Sequence, residues 1–148
     1  MKVIAVMLAN HTWLYGDIYP GTLGEERAAN VNPFHSAHGQ GVRIGIHNDL
    51  PSSGPNALFS MWSAVNRKTL SGKTLGPKQR IDPYLALQGF TSNAAYQYKE
   101  ESNKGMIRSG MLADLVELDR NPLKVDPEDL KNIRVLQTIK NGKQVFAR

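Results

Sequence analysis

Apolar side chains in this chain fall into short, separated runs, and the stretches between them are rich in Gly, Pro and Asn. The run at residues 3–8, Val-Ile-Ala-Val-Met-Leu, has the length of a buried strand. A second run, Val42-Arg43-Ile44-Gly45-Ile46, alternates branched residues in the same way. It is stopped by Leu50-Pro51, because proline cannot donate to a ladder and turns its neighbour away from helix. Between the two strands, residues 10–17 read as a polar and aromatic loop. A helix is expected over 25–29, where acidic residues at the start suit the dipole, and a shorter helical stretch over 33–38 ends at Gly39-Gln40-Gly41. Strand, helical connection, strand is the crossover unit that builds parallel sheets.

Past Pro55, Leu58, Met61, Trp62 and Val65 recur at helical spacing and predict an amphipathic helix with that stripe in the core. Asp82-Pro83 supplies a cap and first-turn proline for a mainly apolar helix over 84–96, in which Gly89 points to close packing. The last third changes character. Short strands are expected around 105–107, 113–119, 133–139 and 144–146, with a capped turn at Asp126-Pro127. Asn141-Gly142 is a two-residue hairpin signal, since both residues tolerate positive φ.

Composition narrows the function classes. With 148 residues, 41% hydrophobic and 21% charged, the chain can build the core of one ordinary soluble domain. It has no cysteine, which excludes disulfides, thiolate metal sites and a cysteine nucleophile and fits a cytoplasmic protein. Any metal must be held by His, Asp or Glu. The first nine residues superficially resemble the front of a secretory signal, but the apolar run is far short of the ~20 residues of a membrane span. We read it as a strand and expect no membrane partner. The net charge of +5 comes partly from Arg67, Lys68, Lys73, Lys78 and Arg80, which lie close together with no acidic residue among them. No aromatic residues interleave with them, so a solvated basic loop is expected and no nucleic-acid partner.

The candidate chemistry centres on Asp49, set by His47-Asn48-Asp49 just past a strand end. Two readings stand: an aspartate before Leu-Pro is a common turn residue bonding its own backbone, and a carboxylate at the carboxyl end of a parallel barrel strand is where catalysis occurs. His11, Trp13, Tyr15 and Asp17 follow the first strand, where they either contact substrate or simply solvate a loop. His35 and His38 lie in the connection and are expected at the surface.

The stretch from Lys104-Gly105-Met106-Ile107 through Ala113-Asp114-Leu115-Val116 to Asn121-Pro122-Leu123 resembles the closing segment of metal-dependent amidohydrolases. Asn48-Asp49-Leu50-Pro51, Ala64-Val65-Asn66-Arg67, Leu75-Gly76-Pro77 and Thr91-Ser92-Asn93-Ala94 resemble the branch called amidohydrolase family 3, which includes proteins labelled exoenzyme regulatory. The resemblance runs through nearly the whole chain in one register, and it matches only the C-terminal part of that family. It implies an α/β fold: the C-terminal fragment of a (β/α)8 barrel, its last two strands with their helices over residues 1–103, followed by a β-sandwich portion over 104–148.

Asp49 would then correspond to the family's catalytic aspartate after the last barrel strand, which touches the metal and exchanges a proton with the attacking water. His11, Trp13, Asp17 and His47 would be substrate-binding. The family's His-x-His pair, its mid-barrel bridging residue and its two later histidines have no counterpart here, so a divalent metal, zinc, is expected in the complete enzyme and none on this chain alone. The function implied is the C-terminal portion of a hydrolase of non-peptide C–N bonds, acting on a small-molecule amide or related substrate and inactive as this fragment. The alternative is a non-catalytic regulatory or binding module of the same ancestry. A two-strand parallel fragment leaves open edges, so a homo-oligomer or association with the missing N-terminal half is expected.

Overall fold

The computed structural model describes residues 3–148 and forms an α/β molecule with two small sheets. Strand β1 (Ile4–Met7) lies parallel to β2 (Arg43–Ile46), with Ile4 opposite Arg43 and Met7 opposite Ile46. The crossover between them carries four short helices: α1 (Asn10–Tyr15), α2 (Tyr19–Leu23), α3 (Glu25–Ala29) and α4 (Phe34–Gly39). Ile44, fully buried at the centre of β2, contributes about 1.5–3 kcal/mol by leaving water.

After β2 come α5 (Ala57–Asn66), α6 (Pro83–Phe90) and α7 (Ser92–Gln97). The expected stripe on α5 is present, with Met61, Trp62 and Val65 buried and Leu58 packed against the same core. Gly89 lets α6 approach β2 closely, because a Cβ there would sit 2.9 Å from Ile46 Cγ1. Asn93 at the start of α7 donates to Ile44 O at 2.9 Å, so a side chain satisfies one carbonyl on the outer edge of β2. The chain closes in the antiparallel sheet β3 (Leu115–Leu118), β4 (Val135–Lys140) and β5 (Lys143–Ala147), in that order. Asn141 and Gly142 turn the last hairpin with φ of 48° and 74°, as their residue types require. A 3-10 segment (Pro127–Asn132) joins this sheet to α5: Trp62 Nε1 donates to Glu128 at 3.1 Å, and Leu130 and Ile133 enter the core beside Trp62.

Four expectations are corrected. Residues 10–15 are helix α1, not loop; Asn, His, Thr, Trp and Tyr are weak helix formers, and tertiary contacts supply what local preference lacks. Ser63 Oγ donates to Ala9 O at 2.7 Å, and Asn10 and Thr12 are buried. The single helix over 84–96 is broken at Thr91 (φ −121°, ψ −95°) into α6 and α7. Residues 105–107 are not a strand, because Gly105 sits at φ 93° against Ala95, where its missing Cβ is needed.

Arg67, expected in a solvated basic loop, belongs to no solvated patch. It is fully buried and adopts left-handed backbone (φ 54°) at the end of α5. Its guanidinium donates to Leu75 O (2.7 Å), Val31 O (2.8 Å) and Asn32 O (3.1 Å). Burial, reinforced by the charge of Arg80, lowers its pKa to about 10, so it remains charged at neutral pH. Arg67 begins a small hairpin arm, closed by the Lys68–Thr74 bridge, whose tip is held by Asp17. Thr69 Oγ1 (2.8 Å), Ser71 N (2.9 Å) and Ser71 Oγ (2.6 Å) all donate to that carboxylate. Gly76 follows at φ 56° with no room for a side chain, since a Cβ would lie 1.9 Å from Ala29 O.

Replacing Arg67 with Met is expected to destabilise the fold by about 3–5 kcal/mol, because one buried and two half-buried carbonyls lose their donor; urea denaturation measures it. Asp17 gives a pH signature. The Ser71 hydroxyl, then its amide, then Thr69 hold its carboxyl below the ordinary value of 3.8. A carboxyl lowered in the folded state contributes stability above its unfolded-state value, and that stability is lost as pH falls through the folded one. The stability difference between wild type and Asp17→Asn should therefore be full at neutral pH and shrink in acid, as followed by thermal melts across pH.

Candidate active site

Because β1 and β2 are parallel and in register, both point their carboxyl ends at the same edge of the sheet. The His47 amide extends the ladder one step by donating to Met7 O at 3.2 Å. Helix α1 leaves β1 at this edge, and Asp49 leaves β2 three residues beyond its last residue. Two segments distant in sequence therefore meet, with His11 Nε2 3.6 Å from Asp49 Oδ2.

Asp49 itself adopts left-handed backbone (φ 57°), a conformation aspartate visits more readily than most residues. Its carbonyl accepts from Ser52 N (2.8 Å) and Ser53 N (3.3 Å), closing a tight turn, and Ser52 Oγ donates to Oδ2 at 2.9 Å. The turn and the exposed carboxylate coexist: local bonding shapes the backbone, yet the side chain remains 46% exposed. A polar chain supports this turn from behind. Asn48 Nδ2 donates to Ser60 Oγ (2.9 Å), Gly54 O (3.0 Å) and Asn56 O (3.2 Å), Ser53 Oγ donates to Asn48 O, and Asn10 Nδ2 donates to Ser53 Oγ at 2.9 Å. Asn56 then caps α5 by accepting from Phe59 N. Sequence reasoning passed over Asn10, Asn48, Ser52 and Ser53. Their signal was the density of Asn and Ser beside Leu50-Pro51 in a stretch that must satisfy its backbone without a ladder.

The other residues singled out in the sequence separate. Trp13 turns inward and meets Phe59 edge to face at 5.2 Å, packed against the core. Asp17 is engaged by the hairpin arm. His47 lies half-buried at the strand end, and its side chain makes no hydrogen bond among the described residues. Tyr15 lies edge-on to the His11 ring at 5.0 Å. His35 and His38 are exposed, and His38 lines a shallow cleft of about 160 Å³ with Arg43, Leu85 and Gln88 at the opposite, amino-terminal end of β2.

The donor set does not suffice for a metal centre. Among the described residues no group of three or more His, Asp or Glu converges in a way that could hold an ion. Asp49 and His11 provide two donors at one edge, whereas a catalytic zinc takes about three protein ligands and keeps a position open. The described residues do not by themselves fit a complete metal site.

The family model described as the amidohydrolase family matches residues 3–146. N-substituted formamide deformylase of Arthrobacter pascens is 30% identical over 129 residues, which cover 86% of this chain and 24% of that protein. A Bacillus subtilis protein named as an amidohydrolase is 25% identical over 129 residues, covering 85% of this chain and 24% of its own length. Among solved structures, an uncharacterized metal-dependent hydrolase from Pyrococcus horikoshii superposes with a TM-score of 0.69 at 24% identity, over 85% of this chain and 26% of that one. The chain spans about a quarter of the length of the relatives it matches. A match over almost all of its residues shows that this chain belongs to the amidohydrolase family, in the branch called family 3.

Proposed function

We propose that these 148 residues are the C-terminal portion of a metal-dependent amidohydrolase that hydrolyses non-peptide C–N bonds, with Asp49 as the catalytic carboxylate. The observation that carries this reading is the position of Asp49, an exposed carboxylate just beyond the carboxyl end of a parallel strand. In this reading β1 and β2 are the last two strands of a (β/α)8 barrel within residues 1–103, and residues 104–148 are a share of a β-sandwich. A relative named for deformylating N-substituted formamides supports a small amide as the substrate class.

Asp49 can accept a proton from the attacking water and return it to the leaving nitrogen, and its carboxylate also suits contact with a cation. His11 faces it, His47 precedes it by two residues at the strand end, and Trp13 and Asp17 anchor α1 and the turn after it. A divalent metal, zinc by the preference of such donor sets, would supply Lewis-acid polarisation when bound. Its remaining ligands would come from outside these residues, through the N-terminal portion of such a hydrolase or an assembly that supplies it. A second reading, a non-catalytic regulatory or binding module, is favoured by one observation: among the described residues, two donors converge at this edge.

Asp49→Asn in the assembled hydrolase is expected to lower kcat by about 10²–10⁴-fold while thermal stability stays near wild type, measured on small formamides and amides. Unchanged kcat would remove Asp49 from the chemistry. The chain by itself should retain well under one equivalent of zinc after dialysis, as read by elemental analysis. One firmly held equivalent would overturn the requirement for outside ligands, and an assembly carrying its full metal without amide hydrolysis would favour the non-catalytic module.

A further inference from the structure

The two oxygens of Asp49 are not equivalent in this structure. Oδ2 accepts from Ser52 Oγ at 2.9 Å on one side and faces His11 Nε2 at 3.6 Å on the other, whereas Oδ1 has no hydrogen-bond partner among the described residues. His11 Nε2 is itself buried with no hydrogen-bond partner among them, although the residue as a whole keeps 23% of its side chain exposed. Its direction is set from behind, because the Tyr15 ring packs edge-on against the imidazole one helical turn later on α1.

We propose that His11 is a positioning residue for Asp49: with Ser52 it holds Oδ2, so that Oδ1 is the oxygen presented to the reaction space. The proposal rests on the reading of Asp49 as the reacting carboxylate, and it replaces direct substrate contact as the main task of His11. At 3.6 Å the contact is longer than a hydrogen bond but within the reach of a charge-assisted pair, and such contacts in ligand-free sites shorten when the site fills. An oriented carboxylate is worth having here because Asp49 sits on a turn. Its left-handed backbone fixes where the side chain begins, but rotation about its side-chain bonds would otherwise leave the two oxygens free to exchange. His11 comes from the neighbouring strand's connection, so the parallel register of β1 and β2 also sets the orientation of the carboxylate.

The test is made on the 148-residue chain by NMR at one fixed pH, with long-range ¹H–¹⁵N correlations reading His11 Nε2 and ¹³C-carboxyl-labelled aspartate reading Asp49 Cγ. Asp49→Asn should displace the His11 Nε2 resonance and leave those of the exposed His35 and His38 in place. His11→Phe should displace the Asp49 Cγ resonance, and His11→Gln, which restores an N–H donor, should bring it back toward wild type. A His11 resonance unmoved by Asp49→Asn, or an Asp49 resonance unmoved by His11→Phe, would overturn the proposal. Should His11→Phe fail to fold, the Asp49→Asn arm decides alone, because that side chain is half exposed. No hydrolysis is read, so loss of the hydrolase reading and loss of the positioning contact are separate results.

Discussion

The buried Arg67 guanidinium joins three segments that share no sheet. It reaches from the end of α5 to the carbonyls of Val31 and Asn32 in the crossover and to Leu75 at the base of the hairpin arm. Asn32 passes the connection on, donating through Nδ2 to Leu8 O at 2.8 Å, just past the end of β1. Burying a cation without a carboxylate is costly, and what offsets it is a carbonyl acceptor for each of its three nitrogens, brought from different parts of the chain. The arrangement exists only when all three segments are in place, which makes the end of β1, and so the start of α1, part of one cooperative unit.

On that foundation the edge of the parallel pair becomes a site through short polar links. Asn10, Ser53, Asn48, Ser60 and Asn56 form a chain of hydrogen bonds running from α1, behind the Asp49 turn, to the cap of α5. Every one of these residues uses its side chain to satisfy backbone or a neighbouring side chain in a stretch without a ladder. The carboxylate of Asp49 stands in front of this layer rather than within it, which leaves it rigidly based and accessible.

Elements with strong local signals were legible in the sequence: the two parallel strands, the α5 stripe, the Asp82 and Asp126 caps and the Asn141-Gly142 hairpin. Helix α1 was not, because its residues prefer other conformations and its stability comes from Ser63, Ser53 and Phe59. The break at Thr91 was hidden for the opposite reason: the apolar spacing continues through it while the backbone does not. Arg67 was misread because a charged residue in a basic run is usually solvated, and nothing local announces that two of its three partners are carbonyls more than thirty residues away.

Asp49 as a strand-end aspartate, and the turn that follows it, were determined by the sequence itself, since proline chemistry and strand periodicity act over a few residues. Tertiary structure alone decided what that aspartate faces. His11 and Asp49 are 38 positions apart, and they meet only because two parallel strands end together. Local preferences can place a residue at the end of a strand, but which side chain stands opposite it depends on the register of pairing, a property of the folded chain as a whole.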